Sequence, residues 1–259
     1  VSRIPLLLGT VLAVVTVLGP ALAPYDPAAP VTAPWTESGA DHLLGGDVLG
    51  RDVLSRLLAG GRHLLAVSLV AAALATLVGA LGGLAAGWRG SRALTASADL
   101  LLAVPVLLPA LVLAVSLPGD AAVVAATVLA GAPLTLGVIR DVTAGVRERG
   151  YVRAARLRGE SAVAVLLREV LPAMAGVLAA DLGLRFVTAL QLASALGVLG
   201  VTDAPATGDW AVMLRENLAG AALNPAALAA PALLLALLSL AVAVAARTGL
   251  RHAFGTESS

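Results

Sequence analysis

Six long apolar runs alternate along the chain with shorter polar connections, at residues 4–23, 64–88, 99–117, 121–139, 171–199 and 225–246. Each is close to or above the roughly 20 residues that carry a helix across about 30 Å of hydrocarbon. The pattern predicts about six transmembrane helices and an all-α integral membrane protein. The second run carries Gly79, Gly82, Gly83 and Gly87, small residues at spacings that let another helix approach closely. Pro105 and Pro109 break the third run and predict a kink there. The first run ends in Ala21-Leu22-Ala23, which imitates a signal-peptidase site. Pro24 would follow the scissile bond and the run exceeds the usual apolar core of a leader, so a retained first helix over 1–23 is expected.

Composition agrees with a bilayer setting. The 259 residues are 59% hydrophobic and 13% charged, with a mean hydropathy of +0.95. All 17 basic residues are arginine. Without lysine there is no G-x-x-x-x-G-K-[ST] phosphate loop, so any ATP used by this protein binds on another chain. No cysteine is present, which removes disulfides and thiolate metal sites.

Charge sets the expected orientation. Residues 24–61 read as an ordered extramembrane loop, with Pro24, Pro27, Pro30, Pro34 and Gly45-Gly46 followed by alternating acids and arginines. Placing both termini and the even-numbered connections on one side collects twelve arginines there: Arg3, Arg89, Arg92, Arg140, Arg147, Arg149, Arg153, Arg156, Arg158, Arg168, Arg247 and Arg251. The other side receives Arg51, Arg56, Arg62 and Arg215. The richer side is expected to be cytoplasmic, and both termini with it.

One connection on that side stands apart. Residues 147–172 form a charged, helix-prone island of more than twenty residues where a short turn would suffice. Read as helix, Arg149, Arg153, Arg156 and Glu160 share a face, while Val152, Ala155, Val163 and Leu167 lie elsewhere around it. Gly159 permits a bend between two short helices. Such a helix–Gly–helix suits docking to something outside the lipid, or an interfacial helix held by anionic lipid.

Here the sequence resembles a known family. Tyr151-Val152-Arg153-Ala154-Ala155-Arg156, then Gly159, then Leu171-Pro172 is similar to the "EAA" loop of ABC importer permeases. The run His42-Leu43-Leu44-Gly45-Gly46-Asp47-Val48-Leu49-Gly50-Arg51-Asp52-Val53-Leu54-Ser55-Arg56 resembles the H-x-L-G-T-D-x-L-G-R-D-x-x-S-R of the peptide/nickel branch, second-permease type. Asp99 through Pro105 and Trp210-x-x-Met213-Leu214 are similar to two further segments of that branch. The likeness runs from about Ala23 to the tail. It departs at Arg153 in place of Glu, at Gly46 in place of Thr and at Ala173 in place of Asn.

The resemblance implies a type I ABC importer permease fold in a bacterial cytoplasmic membrane. The core of five spans would occupy 62–259, with a coupling loop at 147–172. It implies pairing with a homologous second permease, two ATPase subunits that hold ATP and Mg, an extracytoplasmic solute-binding protein and membrane lipid; nucleic acid is not among the implied partners. By position, Tyr151, Arg153, Ala154, Ala155, Arg156, Gly159, Leu171 and Pro172 would couple to the ATPase, the two alanines letting the helix seat closely. Asp47, Gly50, Arg51, Asp52, Arg56 and Trp210 would form an outer gate or a contact for the binding protein. The expected cargo is a short peptide, with nickel, a metal chelate or haem as the alternative. A secondary transporter or channel would need no docking loop.

Three charge patterns remain. Asp47/Arg51 and Asp52/Arg56 are spaced i,i+4, as in helix-surface ion pairs worth a few tenths of a kcal/mol each. On that reading, reversing Arg51 impairs transport and leaves assembly intact. Asp181 and Arg185 fall inside the fifth run, where charge is costly, and are either a structural pair or part of the pathway. His42, His63 and His252 do not cluster, no nucleophile–base set stands out, and neither a metal site nor catalysis by this chain is expected.

Overall fold

The computed structural model of the chain describes residue 16, residues 18–201 and residues 209–255, with side chains through Ala246. The expected first span therefore lies largely outside the described residues, as do residues 202–208 and the side chains of Arg3, Arg247, Arg251 and His252. The described part of that first run, 18–22, is helical. Nine helices are labelled here: α1 Val53–Arg89, α2 Arg92–Leu102, α3 Leu107–Ser116, α4 Asp120–Arg147, α5 Gly150–Leu157, α6 Ala162–Val165, α7 Ala175–Leu199, α8 Trp210–Asn217 and α9 Pro225–Gly255.

The second span starts earlier than its apolar run suggests. Asp52 sits in extended backbone before α1 and its carboxylate accepts from the Ser55 backbone N–H, so helix begins at Val53 rather than near Leu64. At 37 residues, or about 55 Å, α1 outruns the bilayer, and its first turns stand clear of the apolar stretch.

α1 and α4 form the central pair, and the glycines explain their closeness. A Cβ on Gly79 would come within 2.5 Å of Thr135 Cβ, one on Gly83 within 2.7 Å of Ile139 Cβ, and one on Gly87 within 2.6 Å of the Arg140 carbonyl. Contacts rising together in number mean that the two helices run parallel. Their ends are pinned: His63 Nε2 lies 2.9 Å from Asp120 Oδ2 at one end. At the other, Arg147 Nη1 donates to the Trp88 carbonyl at 2.8 Å.

That parallel arrangement fixes what lies between. Since α1 ends on one side and α4 begins on the other, residues 90–119 must cross the membrane. They do so as α2 and α3, bent by 85°, rather than as the single kinked helix expected. Pro105 supplies no N–H and disfavours helical backbone at Val104, so helix stops at Leu102 and restarts at Leu107.

α7 lies against α1 and α4, and α9 runs antiparallel beside α7, where a Cβ on Gly183 would sit 3.0 Å from Ala246 Cβ. The described residues thus make five crossings: α1, α2–α3, α4, α7 and α9. Residues 202–224, expected as a polar loop, contain α8 and a 3-10 turn at Leu218–Gly220. Asp209 caps α8, accepting from the Val212 N–H at 2.8 Å. The loop 24–52 and α8 sit at one end of the bundle, and the island 147–172 at the other.

Candidate functional site

The island folds as a helix, a glycine turn and a second helix. α5 ends at Leu157, and Gly159 takes a φ of +78°, a left-handed conformation that closes the turn with little strain only for glycine. Ser161 then caps α6 through the Ala164 N–H. A one-turn π-helix at Leu166–Val170 and a helical turn at Leu171–Ala173 lead into α7. Inward-facing Val152, Ala155, Val165, Val170 and Met174 are fully buried against Ile139, Val146 and Val177.

The outward face carries Tyr151, Arg153, Ala154, Arg156 and Leu157. The structure therefore splits the two alanines: Ala154 is on the surface, whereas Ala155 belongs to the chain's own core and presents nothing to a partner. Arg156 stacks on the Trp88 ring at 5.5 Å, which ties the island to the end of α1. Glu160 falls beyond the helix and pairs with Arg158 at 2.7 Å instead of extending an arginine face. Leu171 is half-buried and Pro172 exposed. The residue missed from sequence is Leu157, which is 89% exposed; Tyr151, Val163 and Leu167 of the same island are exposed too. An apolar knob among arginines is what a protein groove accepts better than water does.

At the opposite end the charges are not on a solvated helix surface. Asp47 and Arg56 are both fully buried, and Arg51 nearly so. Asp47 Oδ2 pairs with Arg51 Nε at 2.7 Å and Arg56 Nη1 at 2.5 Å, while Oδ1 accepts from the backbone N–H of Leu49 and Arg51. Glu216 on α8 closes the cluster, 2.7 Å from Arg51 Nη2 and 2.8 Å from Arg56 Nη1. Among the described residues, two guanidinium groups thus face two carboxylates. Asp52 does not pair with Arg56; it caps α1 and meets His42 Nδ1 at 3.0 Å. Arg51 is therefore locked in the interior, and its reversal would disrupt folding before transport.

The same lock holds Trp210, which is 1% exposed and donates from Nε1 to the Leu57 carbonyl at 2.8 Å. Its ring packs against Gly61, where a Cβ would meet it. Trp210 joins α8 to α1 and offers no contact surface. Asn217 receives the Val48 N–H, and Asn224 Nδ2 donates to the carbonyls of Leu44 and Gly46. Gly50, at φ +74°, closes the turn between Asp47 and Arg51. Burial raises the Asp209 carboxyl above its ordinary 3.8, the capping N–H groups opposing it only in part.

Within the membrane, Asp181 and Arg185 are both buried, with Nε 3.5 Å from Oδ1. Asp181 Oδ2 also accepts from the hydroxyl of Thr135 on α4 at 2.6 Å, and from Thr76 on α1 at 3.4 Å. The carboxylate therefore joins three helices at one point. Neither Thr76 nor Thr135 was visible as a partner in sequence, since they lie 105 and 46 residues away.

A family described as "Binding-protein-dependent transport system inner membrane component" matches residues 44–248. The chain is 36% identical over 208 residues to the di/tripeptide transport system permease protein DppC of Pseudomonas aeruginosa, covering 76% of this chain and 69% of that one. It is 32% identical over 209 residues to the glutathione transport system permease protein GsiD of Escherichia coli, covering 77% and 67%. The GsiD of Pectobacterium atrosepticum is 32% identical over 180 residues, covering 68% and 60%. The match spans all five described crossings, the island and all four members of the charge cluster: this chain belongs to the family of binding-protein-dependent transport system inner membrane components.

Proposed function

We propose that this permease subunit serves an importer of short peptides, forming the translocation pathway with a homologous second permease. Two separate ATPase subunits bind ATP and Mg and drive it, and an extracytoplasmic binding protein delivers the cargo. The observation that carries the reading is the exposed face of α5 around Arg153, Arg156 and Leu157, held rigidly on the bundle by the buried Val152 and Ala155. A groove on the ATPase seats Leu157, and Gly159 sets the angle between α5 and α6. The excess of arginine at this end supports a cytoplasmic position for it. The peptide cargo is supported by relatives named for di/tripeptides and for glutathione, itself a tripeptide. Nothing in those names favours nickel, a chelate or haem, nor a secondary transporter or channel.

The test is purification of the tagged chain from its own membranes. Wild type brings two ATPase subunits with it, and Leu157→Glu loses them while still inserting in the membrane. A wild-type chain that assembles without any ATPase, with peptide uptake insensitive to ATP depletion, would overturn the proposal.

A further inference from the structure

The exposed faces of the spans differ in kind. On α1 the outward row is Leu74, Leu77 and Leu81, and on α9 it is Leu233, Leu237 and Leu240, all apolar and suited to lipid. On α7 the exposed Gln191 stands between the half-buried Thr188 and Ser194, each three residues away and so on the same side of the helix. Gln191 lies eight residues from the end of α7 and sixteen from its start, roughly 12 Å and 24 Å along the axis, well inside the apolar layer.

The ground around this row is concave. On one flank a cavity of about 420 Å³ opens between Thr188, Leu129, Leu134 and the bend of α2–α3 at Val104–Pro109. On the other, a cavity of about 450 Å³ is lined by Leu190, Gln191 and Ser194 of α7 with Leu235, Ala236 and Ser239 of α9. α7 is therefore the floor of a trough walled by α9 on one side and by the bent α2–α3 and α4 on the other.

The polar groups in it are not all satisfied within the chain. Thr188 returns its hydroxyl to the Leu184 carbonyl at 3.0 Å. Ser194 Oγ is buried without a hydrogen-bond partner, and the exposed Gln191 amide makes no hydrogen bond among the described residues. A carboxamide has two donors and an acceptor, and hydrocarbon answers none of them. Polar side chains at such depth face water or protein.

Resting on the peptide reading above, we propose that this trough lines the translocation pathway and that Gln191, with Ser239, hydrogen-bonds the main chain of the passing peptide. A peptide group offers one N–H and one carbonyl, which a side-chain amide matches in both directions. Contacts to the main chain leave side-chain identity unread, as a conduit for varied short peptides requires. The apolar cavity at the α2–α3 bend accommodates the side chains.

This chain has no cysteine, so single-cysteine variants of it in the assembled complex are read against the same complex with the wild-type chain as background. Gln191→Cys and Ser239→Cys are expected to react with a charged, membrane-impermeant methanethiosulfonate about tenfold or more faster than Leu77→Cys on the apolar face of α1. Gln191→Leu is expected to raise the KM for a transported dipeptide by about tenfold, one hydrogen bond's worth, and Gln191→Asn to recover part of it. Labelling of Gln191→Cys no faster than Leu77→Cys would overturn the proposal, and so would its disulfide cross-linking, under an added oxidant, to a cysteine introduced into the second permease in place of labelling. An unchanged KM in Gln191→Leu would do the same. Labelling needs no substrate: fast labelling of Gln191→Cys alongside a wild-type complex that moves no peptide would defeat the peptide reading and leave the hydrated trough standing.

Discussion

Asp47 is the single side chain whose loss the structure makes most costly. Asp47→Ala removes the acceptor of two guanidinium groups and of two backbone N–H groups at once. Arg56 is fully buried, so no water replaces the lost carboxylate, and among the described residues Glu216 is the remaining carboxylate paired with both arginines. Breaking a buried ion pair from one side costs about 3–5 kcal/mol, or roughly two to three and a half powers of ten in an equilibrium constant. Glu216→Gln should cost only about 1 kcal/mol, because that carboxylate is 26% exposed and its pairs are screened. Unfolding of the purified complex in detergent, followed by Trp210 fluorescence against denaturant, reads the difference. We expect Asp47→Ala to lose the cap, with α8 leaving α1 and Trp210 becoming wet, and Arg51→Glu to behave in the same way. Replacing Asp47, Arg51 and Arg56 together by apolar residues of similar size should recover much of the stability. An Asp47→Ala complex with wild-type yield and midpoint would refute the buried-cluster argument.

Other consequences are as direct. Gly83→Leu should separate α1 from α4 and abolish assembly, as measured by size-exclusion chromatography of the solubilised complex, whereas Gly137→Leu, on an open face of α4, should be tolerated. Asp181→Asn keeps an acceptor for Thr135 but leaves Arg185 a buried charge without its counter-ion. It should destabilise the complex by several kcal/mol, more than Thr135→Val does, on the same denaturant assay. Asp209 carries the one pH prediction. With its folded value raised above 3.8, the native state holds the proton more firmly than the unfolded one, so the stability of α8 declines as pH rises through that raised value. Hydrogen exchange of the α8 amides between about pH 4 and pH 7 should show that decline in wild type and not in Asp209→Asn, which keeps the cap.

How far the sequence reaches is clearest at particular residues. The spans were legible because apolar runs of bilayer length have few alternatives, and the glycines of α1 pointed correctly to a close helix crossing. The turn at Gly159 was equally plain. The boundaries were less so: α1 begins at Val53 because Asp52 caps it, a local hydrogen bond that hydropathy does not register. Likewise Asp209 before Trp210 is a cap signal, hidden because the segment reads as polar. The α2–α3 break was marked by its prolines, yet an 85° bend depends on what the two halves pack against.

Charge was the least legible feature. The i,i+4 spacing of Asp47 and Arg51 does give an ion pair, but in a tight loop, and Glu216 completes it from 165 residues away. The spacing of Asp52 and Arg56 gives none. Such clusters form by tertiary approach, so spacing finds half a pair at best. At the island, Ala154 and Ala155 are one residue and about 100° apart, enough to send one outward and the other into the core.

The central claim is that this chain conducts peptide on behalf of ATPases that dock on α5. Its most direct test is uptake of a labelled dipeptide or tripeptide into proteoliposomes that hold this chain, its second permease and the two ATPases, with the binding protein added outside and ATP enclosed. The account predicts uptake that needs all of these, falls to background with Leu157→Glu and retains normal insertion of that variant. Uptake that proceeds without ATP, or that Leu157→Glu leaves at the wild-type rate, would contradict it.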